Sequence, residues 1–217
     1  MFIVSKDPKS VTAEQYRILR TNIQYSSFDK DIKKILVTSS EPGEGKTTTS
    51  ANLALTFAQS DKKTIIVDCD LRKPSIHKGF NLSNTVGLSD VILNSNNIDK
   101  AIKKVENNLY VLTSGKIPPN PSEMLSSKAF EGLLEALSKI YDVIIIDSPP
   151  VLAVTDSQII STKVDGTVLV VRGNHTKKEA VIAAKDVLDK VKANILGTVL
   201  TRAENGKHGY YYYYGSK

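Results

Sequence analysis

A glycine-rich segment lies between a strand-like run and a helix-like stretch, and its residue types are suited to binding phosphate. The apolar run Ile35–Thr38 leads into Pro42–Thr47, PGEGKT, and a helical pattern follows. The two glycines let consecutive backbone N–H groups turn inward, so these groups and the helix N-terminus form an anion-binding nest. Lys46 adds a positive charge for the β- and γ-phosphates of a nucleotide, and the Thr47 hydroxyl is a candidate ligand for Mg²⁺.

This segment departs from the general phosphate-loop pattern G-x-x-x-x-G-K-[ST]. Ser40 stands where the pattern has its first glycine, and Glu41 stands where a related branch of ATPases has a second lysine. The alternative interpretation is a glycine-containing turn with a surface lysine. The strand before it and the helix after it favour nucleotide binding. The predicted contact residues are Pro42, Gly43, Glu44, Gly45, Lys46, Thr47 and Thr48.

Three aspartates follow two apolar, strand-like runs. Asp68 and Asp70 follow the first run and Asp147 follows the second. Open parallel sheets bind ligands outside the carboxyl ends of their strands, so we expect the three carboxylates to converge on the bound phosphates. Mg²⁺ prefers hard oxygen ligands and keeps several waters, so Thr47, a phosphate oxygen and one or two of these aspartates would hold it. The alternative for each aspartate is a turn former or a helix cap.

The apolar runs and the helical patterns alternate along the chain, which predicts how these groups are positioned. Several runs are unbroken in Val, Ile and Leu, as is typical of strands buried on both faces of a parallel sheet. We therefore predict an α/β protein with a P-loop NTPase-like three-layer fold, in which helices flank a mostly parallel central sheet. The predicted strands are Ile35–Thr38, Thr64–Val67, Leu109–Leu112, Val143–Ile146, Thr167–Val171 and Ile195–Leu200.

Helices are predicted from apolar residues spaced three and four apart and from capping residues. The segments Lys46–Gln59, Ser126–Lys139 and Lys177–Val191 have this character, and a further helix runs to about Tyr25. Pairs with the spacing of a capping box predict where helices begin. These pairs are Thr12 with Gln15, Thr155 with Gln158, and Thr176 with Glu179.

Composition limits the class of protein. The 217 residues carry 29 Lys and Arg against 23 Asp and Glu, and they include three His and the single Cys69. A disulfide framework and a cysteine-built metal site are therefore excluded, and Cys69 is interpreted as a packing residue. No apolar run approaches the ~20 residues that span a bilayer, so a cytoplasmic protein is predicted. No nucleic-acid recognition motif is seen, and no nucleic-acid partner is expected.

The last part of the chain is a polar tail with five consecutive tyrosines, Tyr210 to Tyr214. The alternatives are an inert low-complexity tail or an aromatic patch that stacks on bases or on a membrane. Beside a nucleotide site, a run of hydroxyl groups is better interpreted as a set of phosphoryl acceptors. A tyrosine hydroxyl has a pKa near ~10, so a nearby carboxylate must accept its proton during transfer.

Taken together, the motifs resemble those of the bacterial tyrosine kinases. The resemblance runs from about residue 8 to the tail. It is carried by the phosphate loop, the tyrosine cluster and four further motifs. These are E-x-x-R-x-x-R at Glu14–Arg20, D-x-D-x-R at Asp68–Arg72, GKIPPNPSEMLSS at Gly115–Ser127 and D-S-P-P at Asp147–Pro150.

The resemblance implies an ATP- and Mg²⁺-dependent enzyme that phosphorylates Tyr210, Tyr211, Tyr212, Tyr213 and Tyr214 in trans, on a neighbouring subunit. It assigns Lys46 and Thr47 to the phosphates and the metal ion. Asp68 is the candidate for accepting the tyrosine proton, and Asp70 and Asp147 are candidates for organising Mg²⁺. The division of roles among the three aspartates stays open.

The same resemblance implies partners and an organisation of the chain. A transmembrane adaptor with a cytoplasmic C-terminal tail would recruit the kinase to the inner face of the cell membrane and activate it, and a cognate tyrosine phosphatase would reverse the reaction. The kinase would regulate capsular or exopolysaccharide synthesis and export. Residues 1–30 would form a helical oligomerisation segment, 31–204 the kinase domain and 205–217 the tail. Glu14, Arg17 and Arg20 would contact the neighbour in a homo-oligomeric ring, whereas the residues alone equally allow an intrahelical ion pair.

Other functions remain possible from the residues. Many relatives have an Asn-Lys pair after the last strand, near the nucleotide base, where this chain has Thr201-Arg202. A partitioning-type ATPase, acting as a nucleotide-dependent dimer switch, shares the fold. Against it stand Glu41 and the lack of a C-terminal amphipathic helix. A metabolic P-loop enzyme would have no use for the tyrosine tail, and a non-catalytic regulator would use nucleotide only for binding.

Overall fold

A central seven-stranded sheet organises the computed structural model, which describes residues 2–26 and 31–203. Its strands lie side by side in the order β3-β4-β2-β5-β1-β6-β7. β3 runs antiparallel to β4, and the other neighbouring pairs are parallel. The strands are β1 Lys34–Ser39, β2 Thr64–Asp68, β3 Ile102–Glu106, β4 Leu109–Leu112, β5 Val143–Asp147, β6 Gly166–Arg172 and β7 Ile195–Thr201.

The predicted fold class is confirmed, and each of the six predicted strands is present with its ends within one residue of the prediction. β3 was missed. Its sequence, IKKVE, exposes both lysines and leaves the two apolar side chains half-buried, as suits an edge strand. Exposed lysines on an edge strand also discourage pairing with another chain.

Helices cover both faces of the sheet. A 3₁₀ turn, Ser95–Asn97, precedes the short helix that begins at Ile98. The helices are α1 Ile3–Lys6, α2 Val11–Gln24, α3 Lys46–Ala58, α4 Ile76–Gly79, α5 Leu88–Leu93, α6 Ile98–Ala101, α7 Pro121–Ser126, α8 Lys128–Ile140, α9 Asp156–Ser161 and α10 Lys178–Lys190. No helix within residues 2–26 and 31–203 is long and apolar enough to cross a membrane.

The sheet separates the hydrophobic core into clusters on its two faces, because successive side chains of a strand point to opposite faces. In β1, Ile35 and Val37 pack in the cluster that contains the apolar residues of α3, whereas Leu36 packs in the cluster that contains those of α8. The α8 side chains buried there are Phe130, Leu133, Leu134 and Leu137, the residues whose spacing predicted the helix. A third cluster buries Ala184 and Leu188 of α10 beside Leu169 of β6.

The predicted caps are wrong in detail. α2 begins two residues earlier than a Thr12 cap would allow, because Ser10 is its cap and accepts a hydrogen bond from the Ala13 N–H. Thr155 precedes α9 as predicted but makes no side-chain cap. Thr176 lies before the Lys177 cap of α10, and its hydroxyl accepts from the Arg172 N–H instead. Because the Thr176 oxygen accepts from Arg172, it does not accept from the first turn of α10.

The N-terminal helices pack against α3, the helix that follows the phosphate loop. The Val4 N–H donates to Asn52 Oδ1 at 3.0 Å, and Arg20 Nη1 donates to the Thr56 carbonyl at 3.0 Å. Arg17 pairs with Glu14 at 2.9 Å along α2, which is the intrahelical contact that the spacing allows. The interface role of these three charged residues and the boundaries at residues 30 and 204 remain predictions.

Candidate functional site

The phosphate loop lies where the sequence predicts it, between β1 and α3. Gly43 and Gly45 have φ values of +79° and +99°, a backbone region that glycine adopts without steric cost. Lys46 begins α3 and is 8% exposed. Pro42 and Gly43 are exposed, as is Thr48 beyond the lysine. The loop therefore presents backbone and one lysine at a helix N-terminus, which is an arrangement suited to phosphate.

Thr47 connects the loop to the end of β5. Its hydroxyl donates to Asp147 Oδ2 at 2.8 Å and lies 2.9 Å from the Ser75 hydroxyl. The Ser50 hydroxyl lies 3.0 Å from the other oxygen of Asp147. The structure thus brings the predicted pair Thr47 and Asp147 into contact. Ser50 and Ser75 were not predicted as site residues, because an isolated serine in the sequence does not indicate its hydrogen-bond partner.

Asp68 and Asp147 are side by side because they occupy the same register position in the parallel pair β2 and β5. Both side chains are fully buried. Asp68 Oδ2 accepts from the backbone N–H groups of Ser75 and Ile76 at 3.1 Å, and its Oδ1 accepts from Asp70 N at 3.2 Å. The predicted convergence of these two carboxylates is therefore present in the fold.

Asp70 and Cys69 differ in exposure. Asp70 is half-buried, and its carboxylate accepts from the Lys73 N–H at 2.9 Å within its own turn. Cys69 is fully buried, and burial together with the negative charge of Asp68 raises the pKa of its thiol well above the usual value. A thiol in this environment stays protonated, which agrees with a packing role.

Arg72 of the D-x-D-x-R motif holds the loop after β2 against two other segments. Its guanidinium makes a two-point contact with the buried Asp156 at 2.9 and 3.1 Å and reaches the Ser122 hydroxyl at 3.0 Å. Ser122 also donates to Asp156 at 2.6 Å. Asp156 was missed as a site residue because the sequence placed it only inside a predicted helix. The contact fixes the position of the segment that carries Asp68 and Asp70.

Burial is the main cause of the pKa shifts of the two neighbouring carboxylates. Burial raises the pKa of Asp147 from 3.8 to about 6, against the opposing effects of the Thr47 hydrogen bond and the charge of Lys46. Burial and the adjacent Asp147 raise the pKa of Asp68 well above its usual value. Each group therefore binds a proton more readily in the folded chain than in the unfolded chain.

This shift makes folding stability depend on pH with a definite sign. A carboxyl whose pKa is raised by folding stabilises the fold at low pH, and that contribution is lost as pH rises through about 6. Asparagine does not ionise, so we expect the free energy of unfolding of Asp147→Asn to rise relative to that of the wild type as the pH increases from about 4 to about 7. Urea unfolding of both proteins without nucleotide at the two pH values measures it. A pH-independent difference would contradict the assignment.

The donor set at this edge fits Mg²⁺. Among residues 2–26 and 31–203, no group of three or more His, Cys, Asp and Glu side chains lies close enough together to form an all-protein metal cage. Mg²⁺ does not require one, because it usually binds through one or two carboxylates together with substrate phosphates and water. The Thr47 hydroxyl and the Asp147 carboxylate, 2.8 Å apart, are hard oxygen donors beside the phosphate loop.

The opposite flank of the loop rests on the end of β7. The Thr201 hydroxyl donates to the Glu44 carbonyl at 2.7 Å. The Thr201 methyl group lies where a Cβ on Gly45 would approach it to 3.3 Å. Thr201-Arg202 is the pair that the family resemblance puts near the nucleotide base, and the structure places Thr201 against the phosphate loop. The tyrosine cluster, Tyr210–Tyr214, lies outside the described residues.

The chain is similar to known proteins over most of its length. A family model described as an AAA domain matches residues 32–196. Tyrosine-protein kinase YwqD of Bacillus subtilis (strain 168) is 47% identical over 216 residues, which cover 99% of this chain and 91% of that protein. The putative tyrosine-protein kinase CapB of Staphylococcus aureus is 42% identical over 214 residues, covering 98% and 94% of the two chains.

The fold has a close counterpart among solved structures. The crystal structure of the chimerical protein CapA2B2 superposes with a TM-score of 0.89 at 44% sequence identity. The match covers 92% of this chain and 88% of that one. The similarity therefore extends over most of the fold.

Proposed function

The chain belongs to the bacterial tyrosine kinases, and on that premise we propose that it transfers the γ-phosphoryl group of ATP, with Mg²⁺, to tyrosines 210–214 of a neighbouring copy. The phosphate loop of this fold binds nucleotide. The observation that carries the proposal is the contact of Thr47 with Asp147 beside the buried Asp68, at the edge where the loop would hold the phosphates.

Each of these residues has a role that its chemistry supports. Lys46 neutralises charge on the β- and γ-phosphates, and the loop amides orient the phosphate chain. Thr47 and Asp147 would hold Mg²⁺, with Asp70 joining them directly or through water. When bound, the cation would neutralise charge that develops on the transferred group. Catalysis would rest mainly on positioning and charge neutralisation, since phosphoryl transfer needs little covalent help from the protein.

Asp68 is our candidate for accepting the tyrosine proton. Its carboxylate is held by three backbone N–H groups, so its position does not depend on a flexible partner. The raised pKa makes its carboxylate a stronger base than an exposed aspartate. The proton would move from the tyrosine hydroxyl to Asp68 while the tyrosine oxygen bonds to the γ-phosphorus. The bond from that phosphorus to the oxygen bridging to the β-phosphate would break, and ADP would leave.

The cellular setting proposed here rests on the family resemblance. A transmembrane adaptor would bring the kinase to the inner face of the membrane, where the kinase would regulate capsular or exopolysaccharide synthesis and export. Each added phosphate brings a charge of about −1.5 to −2, so a fully modified tail would dock less well and the ring would loosen. A tyrosine phosphatase would restore the unmodified state.

Phosphotyrosine mapping by mass spectrometry after incubation with Mg²⁺-ATP tests the proposal. Three samples are compared: the wild type, Lys46→Met alone, and Lys46→Met mixed with a chain that ends at residue 204 but has an intact loop. We expect phosphate on tyrosines 210–214 in the first and third samples and none in the second. In the mixture, the modified tail can belong only to the inactive chain, so the transfer is in trans.

Two results would contradict the proposal. Phosphate in the wild type but not in the mixture would show transfer within one chain. ATP binding without phosphotyrosine in any sample, both alone and with a candidate adaptor tail fused to the N-terminus, would favour the nucleotide-dependent dimer switch.

A further inference from the structure

Glu44 is an acidic side chain buried inside the phosphate loop, and nothing in the proposed mechanism uses it. It is 1% exposed, and it belongs to none of the ion pairs formed by the described residues. A buried carboxylate without a cation is costly, and a negative charge beside a phosphate site also repels the ligand. We therefore expect the Glu44 carboxylate to have a structural role that offsets these two costs.

The contacts of Glu44 show what it holds. Its Oε2 accepts from the backbone N–H of Glu41 at 3.0 Å, which closes the loop on itself. Its Oε1 accepts from the Thr176 hydroxyl, which in turn accepts from the Arg172 N–H at 3.1 Å. Its carbonyl accepts from Thr201, as described above. One residue thus joins the loop to the connection between β6 and α10 and to the end of β7.

We propose that Glu44 is a positioning residue that holds the phosphate loop in its ligand-binding shape through Thr176. The carboxylate occupies the Glu41 N–H and fixes the turn before Gly45, so that the inward-facing amides are arranged before the nucleotide arrives. Preorganisation of this kind improves affinity because the loop does not have to be ordered on binding. Thr47 is anchored separately to Asp147, so the two flanks of the loop are held by different groups.

The expected effect is on nucleotide affinity and not on the chemical step. Glu44→Ala leaves the Glu41 N–H and the Thr176 hydroxyl without their shared partner, so it should weaken ADP binding by about 5- to 30-fold. The KM for ATP should rise by a similar factor while kcat changes by less than about threefold, because Lys46 is unchanged and Thr47 keeps its contact with Asp147. Glu44→Gln should recover most of the loss, since its amide can still accept from Glu41 and bond to Thr176.

Isothermal titration of ADP into the full chain is the test, and it needs no kinase activity. Thr176→Val, which lies outside the loop, should weaken ADP binding in the same direction. The double variant Glu44→Ala with Thr176→Val should be no weaker than Glu44→Ala alone, because the two residues act through one hydrogen bond. Glu41→Ala is the matched control, since it removes an exposed charge of the same sign from the same loop.

Each outcome decides the proposal. Additive losses in the double variant, or an equal loss in Glu41→Ala, would overturn it. Tighter ADP binding by both Glu44→Ala and Glu44→Gln would also overturn it, by showing that charge repulsion is the main effect. The inference depends on nucleotide binding by the loop but not on tail phosphorylation. A wild type that binds ADP without phosphorylating its tail would contradict the proposed function alone, and one that does not bind ADP would overturn both.

Discussion

Replacing Lys46 with methionine is expected to lower the rate of phosphoryl transfer to tyrosine by about 10²- to 10³-fold. Methionine nearly preserves the length and the apolar stem of the side chain, so the N-terminus of α3 keeps its packing. The change removes the positive charge that we propose Lys46 directs at the transferred phosphates. In a buried position, water cannot replace that charge, and a fixed charge stabilises a transition state far more there than at an exposed surface.

Single-turnover transfer of radiolabelled phosphate from ATP to the chain measures this effect. Lys62→Met is the matched control, because Lys62 is exposed and lies just beyond the same helix. The control should retain the wild-type rate, and both variants should show the wild-type circular dichroism spectrum. A Lys46→Met rate within about tenfold of the wild type would contradict the assignment of the loop as the catalytic phosphate site.

The largest expected loss of stability follows from removing an aromatic ring in the core. Phe130 is fully buried in α8, where it packs against the sheet in the same cluster as Leu36 and Val67. Phe130→Ala should lower the free energy of unfolding by about 3–5 kcal/mol, since it loses transfer free energy and leaves a cavity. Domains of this kind have a total stability of only about 5–15 kcal/mol, so the variant would lose between roughly a fifth of that stability and all of it.

Urea denaturation followed by circular dichroism measures the difference. Ile140→Ala is the control in the same helix, because its side chain is 52% exposed and its loss should change stability by no more than about 0.5 kcal/mol. Equal midpoints for Phe130→Ala and the wild type would show that α8 does not pack on the sheet as described.

The sequence predicted the strands well because most of them are buried on both faces. A run such as Val143–Ile146 is apolar at every position, and its length and flanking residues distinguish it from a helix. β3 has no such signal. Its residues Ile102–Glu106 are placed by pairing with β4, and that tertiary contact is invisible in a segment with two adjacent lysines.

The candidate site could be predicted only where a motif carried it. Lys46 and Thr47 belong to a phosphate-loop motif and the aspartates follow apolar strands, so the sequence predicted that these groups meet at one edge of the sheet. The structure places Thr47 in contact with Asp147 there. Asp156 and Thr176 could not be predicted as site residues, because their partners, Arg72 and Glu44, are far away in the sequence. Short-range rules assigned Thr176 to a helix cap, and a tertiary hydrogen bond prevailed over that local preference.

The strand order also determines when the site can form as the chain is made. β1 emerges early, yet it pairs with β5, and Lys34 lies opposite Ile144, 110 residues later. Pairing so distant in sequence makes folding slow, because a long loop must close before its contacts stabilise anything. At the rate of ribosomal synthesis, β5 is made on the order of ten seconds after β1. The phosphate loop is therefore synthesised long before Asp147, and a nascent chain that has not yet reached Asp147 has no complete nucleotide site to fold around.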